Sequence, residues 1–241
     1  MAETTTTRVA LTRKMLILVA AAALFCLLGV WPTWRDQRRV KNLISQLRAD
    51  DAKVRADAAN ELGALGPRAK SALPTLIDSL NDADTKVRVF AVTSIGRIGD
   101  KSPRTVAALT AALGDRHGPV RAGAAIALSK IGPDAAAAVP ALVERLKDAD
   151  DPVRAYAADA LWRIDHKADV VIPPLLGVLR GTAKDARSIA AITLGKIGPA
   201  AQFAIPDLIA AMNDPDIDLS QAAEDAIKLI DPIIADELGL F

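Results

Sequence analysis

Apolar and small residues recur along this chain in columns separated by 33 residues. Val54, Val87, Val120, Val153, Ala186 and Leu219 open one stripe. Ala58, Ala91, Ala124, Ala157, Ala190 and Ala223 follow four positions on, and Leu62, Ile95, Leu128, Leu161, Leu194 and Ile227 four further. Leu65, Ile98, Ile131, Ile164, Ile197 and Ile230 close it. Offsets of four, four and three mark one face of an α-helix. Gly66, Gly99, Gly132 and Gly198 stand just past these helices, with Asp165 and Asp231 as variants, and Pro67, Pro133 and Pro199 follow. Glycine then proline is a helix stop, because glycine takes the left-handed turn and proline cannot continue the hydrogen-bond ladder.

A second stripe follows each stop: Leu73, Val106, Val139, Ile172 and Ile205, then Leu76, Leu109, Leu142, Leu175 and Leu208, with Leu80, Leu113, Leu146, Leu179 and Met212 completing it. Pro74, Pro140, Pro173 and Pro206 lie near its start, where a missing N–H costs little. A two-helix hairpin of this kind cannot bury its own stripe, so neighbours must stack and share it. The pattern predicts a half-repeat cap over 32–49, carried by Val40, Leu43, Ile44 and Leu47. Five repeats over 50–213 and a capping repeat over 214–241 follow, with Ile233, Ile234, Leu238 and Phe241 folding over the last open face. The second helices are expected to line the concave side.

Asp84-x-x-Val87-Arg88, Ala91 and Ile95-Gly96-x-Ile98-Gly99, followed by a second helix opening with proline, resemble the HEAT-type repeat. The short units are most similar to those of phycobilisome lyases. The resemblance covers about 50–230 and implies a curved, right-handed α-solenoid used as a scaffold or binding surface. A minority of such proteins are bilin lyase subunits, and a metal-binding hydroxylase is built the same way. The hydroxylase type uses His-Glu pairs, and here neither His117 nor His166 is followed by Glu.

Arg55, Arg88, Arg121, Arg154 and Arg187 keep the same period. Asp51, Asp84, Asp150 and Asp216 sit where first helices start and can cap their free N–H groups. Each arginine, one turn in, is expected to bridge to the aspartate of the next unit with its planar fork. Ser220 replaces arginine in the last unit, where no next aspartate exists, and His117 occupies the aspartate column, which points to Asp115 for that rung. Trp162 replaces the glycine of Gly63, Gly96 and Gly195, and the same hairpin has Asp165 and His166 in place of the closing glycine and proline. Its turn is therefore irregular.

Ahead of the repeats, Met15 to Trp31 is an uncharged run preceded by Arg13 and Lys14 and followed by Arg35, Arg38 and Arg39. After an N-terminal tail over 1–14, this predicts one transmembrane helix over 15–31, at the lower limit of spanning length, with Trp31 and Trp34 at the interface. A cleaved signal peptide is the alternative, although Gly29-Val30-Trp31-Pro32 offers no small-x-small site. The predicted class is thus an all-α, right-handed α-solenoid with one N-terminal transmembrane helix and single-pass membrane localisation. The flanking charges lean toward repeats on the cytoplasmic side, while a signal anchor would export them.

Composition narrows the chemistry. The 241 residues carry 30 basic and 29 acidic side chains, 3% aromatics, one Cys and two His. Balanced charge gives no sign of a nucleic-acid partner. Gly96-Arg97-Ile98-Gly99 and Gly195-Lys196-Ile197-Gly198 look like fragments of a phosphate loop but are repeated helix ends. No catalytic, metal or cofactor residues are expected, and the chain is read as a non-enzyme. The expected role is a membrane-tethered scaffold, held in the bilayer through 15–31, that binds a partner protein on its concave face. Ala108, Ala111, Ala141, Glu144 and Arg145 on second helices are the candidate contacts, with Trp162 beside them. The alternative is a bilin-lyase-like subunit acting on a tetrapyrrole or its carrier protein.

Overall fold

A computed structural model describes residues 30–241, with side chains from residue 35 onward. Helix α1 (Val30–Gln46) precedes five hairpins: α2 and α3 (Ala52–Leu65, Leu73–Asp78), α4 and α5 (Thr85–Ile98, Pro103–Ala112), α6 and α7 (Gly118–Ile131, Val139–Arg145), α8 and α9 (Asp151–Asp165, Ala168–Leu179), and α10 and α11 (Lys184–Ile197, Ile205–Met212). Helices α12 (Ile217–Ile230) and α13 (Pro232–Glu237) end the chain. The stripes of alanine and branched residues form one continuous buried core from Val40 to Ala235.

Local rules set the helix limits. Asp51, Asp84 and Asp216 accept backbone N–H bonds at the starts of α2, α4 and α12. Asp150 makes no such bond; its carboxylate instead accepts from Arg121 at 2.9 Å. In three hairpins a 3-10 turn leads into the second helix (Gly66–Ala72, Gly132–Ala138, Gly198–Ala204). The fourth hairpin has no such lead-in. His166 takes a left-handed conformation (φ 55°), the only non-glycine residue with positive φ among those described, and α9 starts early enough to leave Pro173 and Pro174 inside it. At the C-terminus the expected apolar lid is only partial. Ala235 is buried and Ile234 and Leu240 pack on the core, but Ile233, Leu238 and Phe241 face outward.

The helix expected to cross a membrane over 15–31 lies, apart from Val30 and Trp31, outside the described residues. The described part does not keep its boundary at Trp31, because Val30 and Trp31 lie in α1, which runs unbroken into the half-repeat. Among the described residues two helical runs are apolar and long enough to cross a membrane, Gly118–Arg145 and Lys184–Met212, and both are internal. Each is the first helix, turn and second helix of one hairpin, interrupted at Gly132 (φ 71°) or Gly198 (φ 72°). The apolar windows are 44% and 56% buried against neighbouring hairpins. The chain is an all-α solenoid of stacked two-helix repeats. The N-terminal transmembrane helix and the single-pass localisation drawn from it are not upheld, since long apolar helical runs in this fold are repeat core.

An arginine ladder ties the hairpins together. Arg55 grips Asp82 through two bonds of 2.7 and 2.9 Å, and Arg121 grips Asp148 at 2.8 and 2.7 Å. Arg88 reaches Asp115, and Arg187 reaches Asp214. Arg88 thus meets Asp115 as expected, and Arg121 also reaches the capping Asp150, but the acceptor common to all four rungs is the aspartate two residues before the capping position. That residue also accepts a backbone N–H at its own turn, from Asp84, His117, Asp150 or Asp216. Each arginine further donates to a carbonyl in the turn before its own helix, such as Asp82 for Arg88 and Asp115 for Arg121. Arg154 breaks the series. Gly181 stands where its acceptor belongs, and its guanidinium turns back to Asp151 in its own helix. In the last unit the Ser220 hydroxyl donates to the Met212 carbonyl.

The ladder carboxylates titrate low. Arg55 holds Asp82 below its ordinary value. Burial alone would raise Asp148, but bonds from Arg121 and the Asp150 N–H, with the charges of Arg121 and Arg145, bring it below. A depressed folded pKa contributes stability that is complete above the unfolded value of about 4 and lost as pH falls through the folded one.

Arg121→Ala is expected to cost about 1–3 kcal/mol in urea unfolding at neutral pH and to flatten the acid limb of stability. Arg154→Ala, lacking a cross-hairpin rung, should cost less; equal losses would refute the ladder assignment. A Cβ on Gly195 would lie 2.9 Å from the Ala226 Cα, whereas one on Gly177 meets nothing within 4 Å. Gly195→Val should therefore destabilise by about 1–3 kcal/mol, while Gly177→Ala within α9 should stabilise by about 0.5–1 kcal/mol; melting temperatures of both check this.

Candidate binding surface

Curvature follows from unequal layers. Successive first helices lie against one another along their length, whereas successive second helices barely meet. Small residues permit this closeness: a Cβ on Gly63 would fall 2.3 Å from Ser94 Oγ, and one on Gly96 2.9 Å from the Ala127 Cβ. A stack drawn tighter on one layer bends toward it, so the first helices line the inner side. The expectation that second helices form the concave face is corrected accordingly.

The residues expected to meet a partner do not converge. Ala108 and Ala111 line a shallow groove on the second-helix side with Ile77, Leu80 and Asn81. Ala141 is half-buried against the core. Arg145 lies 3.3 Å from Asp148 and 3.7 Å from Glu144, which ties it to the ladder rather than to an open groove. Trp162 is on a first helix, and its ring is 5.1 Å from that of His166 at 58°.

On the inner side each first helix presents the same positions. One column holds Asp57, Phe90, Gly123, Tyr156, Ile189 and Ala222; three residues on stand Asn60, Thr93, Ile126, Asp159, Ile192 and Asp225. Phe90, Ile126, Tyr156 and Ile189 are half-buried and Ile192 is exposed. A groove of about 610 Å³ runs between α2 and α4, lined by Lys53, Ala56, Asp57, Lys86 and Phe90. Another of about 490 Å³ lies between α10 and α12, lined by Ile192, Lys196, Gln221 and Leu229.

Asp159 is the polar centre of this face, and sequence reasoning missed it. Its carboxylate is buried, accepting from the Ser129 hydroxyl at 2.7 Å, Arg163 at 3.0 Å and Lys196 at 3.1 Å, so it joins three successive first helices. Burial would raise its pKa, yet the Ser129 bond and the Lys196 and Arg163 charges keep it below the ordinary value. Burial also pushes the Tyr156 hydroxyl up, helped by Asp185 and Asp159. The available signal was twofold: an acid in a column holding Ile126 and Ile192, and a serine in the glycine column one unit earlier.

Removing one member of a buried polar cluster leaves the others without their partner. Asp159→Ile takes the acceptor from the buried Ser129 hydroxyl and the cross-helix partner from Lys196, and is expected to lower unfolding stability by about 1–3 kcal/mol. An unchanged midpoint in urea titration would show that Asp159 does not brace the fold.

The model of HEAT repeats matches residues 73–161 and 139–228, more than half of the chain. No curated protein matches the sequence. Among solved structures, an engineered protein shares the fold at a TM-score of 0.58 and 22% identity, over 80% of this chain and 96% of that one. A designed armadillo repeat protein in complex with the peptide (KR)4 gives 0.54 and 18%, over 79% of this chain and 98% of that one. The complex of CpcE and CpcF of phycocyanin lyase from Nostoc sp. PCC7120 gives only 0.46 and 20%, over 80% and 94%. At these identities the first two structures speak for the solenoid fold alone. With its matched repeats spanning the stack of first and second helices described above, the chain belongs to the HEAT repeat family.

Proposed function

We propose that this protein is a non-catalytic scaffold whose partner protein lies along the inner face of first helices. The observation that carries this is the contrast between columns. The buried and ladder columns hold nearly the same residue in every unit, whereas the inner-face column runs Asp57, Phe90, Gly123, Tyr156, Ile189, Ala222. A constant frame bearing a varied, half-exposed surface is what an extended partner needs for specific contacts with several units. Repeat scaffolds of the HEAT and armadillo kind are in general interaction modules, and the designed armadillo protein above is itself a peptide complex.

A lyase-type subunit acting on a tetrapyrrole or its carrier protein is the second reading, resting on the likeness of the short repeat motif to that family. Mixing the purified chain with a linear tetrapyrrole tests it: a shifted absorbance band supports that role, and an unchanged spectrum removes it.

The scaffold reading is tested by capture of the native partner. Ile192→Glu, exposed on the inner face, should weaken partner binding at least about tenfold, or ~1.4 kcal/mol. Ala111→Arg, in the second-helix groove, should leave it unchanged. The reverse pattern would move the site to the outer groove of Ala108 and Ala111.

A further inference from the structure

The last turns of four consecutive first helices carry Arg97, Lys130, Arg163 and Lys196, one per unit and in the same column. All four are exposed. Arg163 and Lys196 share the single carboxylate of Asp159, and the side chains of Arg97 and Lys130 make no ion pair among the described residues. The row is therefore a line of four cations with one counter-charge.

Cations favour helix C-termini through the backbone dipole, which offers a purely local explanation. The second helices argue against it as the full account. Their last turns end on the same kind of dipole, yet α3, α5, α9 and α11 carry no basic residue there, and only α7 does, with Arg145. The basic column belongs to the inner face rather than to helix ends in general.

We infer that this row binds an extended acidic segment of a partner protein, with carboxylates three residues apart; this rests on the scaffold reading above. Packed helices lie about 8–10 Å apart, and three residues of polyproline II chain advance about 9 Å and complete one turn, so every third side chain returns to the same side. A segment of roughly ten residues with Asp or Glu at every third position thus sets one carboxylate beside each cation. Its intervening side chains face the column of Ile126, Asp159 and Ile192. The face is poorly suited to a nucleic acid. Phe90 and Tyr156, two units apart, make no stacking platform for successive bases.

The test is fluorescence anisotropy on the full chain with labelled peptides of about twelve residues. One has Asp at every third position among Ser and Gly, a second has the same residues with the aspartates clustered, a third has Lys for Asp, and a fourth is neutral with Ile and Tyr. An oligo-dT of similar charge is run alongside. The spaced acidic peptide is expected to bind at least about tenfold tighter than the clustered and Lys forms, and to weaken as salt is raised. Arg97→Glu with Lys130→Glu should remove at least about tenfold of that affinity while the circular dichroism is unchanged, since both side chains are exposed. Equal binding of acidic and Lys peptides, or no effect of the charge reversal, overturns the proposal. Tighter binding of oligo-dT that is lost in the same variant overturns it in favour of nucleic acid. Binding of the neutral peptide alone, abolished by Ile192→Arg, would sink the acidic partner and leave the scaffold reading standing. No binding of any probe sinks the acidic partner, and partner capture then judges the scaffold separately.

Discussion

Every hairpin but the fourth is registered on the next unit by one charged contact, an arginine that holds three structures at once. Arg121 donates to the Asp115 carbonyl behind it and to both oxygens of Asp148 ahead, and Asp148 in turn accepts the Asp150 N–H that shapes the following turn. The guanidinium suits this position because its donors are planar, fixed and always charged. The hydrophobic stripes supply most of the burial but are nearly identical from unit to unit and slide easily past one another. A bidentate bond to a single carboxylate allows one register, which is how a repeating core is held to a constant step.

That step has consequences on the first-helix layer. Ala124 and Ala157 are fully buried between neighbouring helices, and the glycines at 63, 96 and 195 sit where a Cβ would collide with the next helix. Close first helices beside separated second helices bend the stack, and the bend gathers Phe90, Ile126, Tyr156 and Ile192 onto one side. Residue size in the core thus decides which residues a partner can reach.

Much of this was legible in the sequence because period and helix stops are local properties. The columns through Leu62 and Leu76, the stops at Gly99 and Gly132 and the departures at Trp162 and His166 all follow from spacing and from what glycine and proline allow. What the sequence hid depended on distances between units. Arg121 does touch the capping Asp150, yet the acceptor shared by every rung lies two residues before the capping position, where the carboxylate is aimed back at the previous hairpin. The concave side was assigned to the small residues of second helices, although small size at Ala111 is surface and small size at Gly96 is contact. Asp159 was passed over because it sits among alanines on a helix face that looked uniformly structural. The run at 15–31 was read as a membrane helix by length and apolarity, and two hairpins of the repeat meet the same criteria, so those criteria do not separate a membrane span from repeat core here.

The junction between the fourth and fifth hairpins shows how one set of substitutions can serve frame and surface together. Gly181 deletes a rung, Arg154 folds back to Asp151, and Trp162 fills the position where glycine elsewhere lets first helices close up. Contacts between α8 and α10 are accordingly sparser than at the other first-helix junctions. Two other ion pairs cross here, Arg180 with Asp207 at 2.7 Å on the second-helix side and Lys196 with Asp159 at 3.1 Å on the inner side. In a quasi-one-dimensional stack each interface contributes separately to stability, so a lost rung at one junction is offset at that junction. Moving the ionic tie from the turn to the inner face keeps the hairpins coupled. It also puts the one buried carboxylate of that face between Arg163 and Lys196, next to the surface where the side chains vary most.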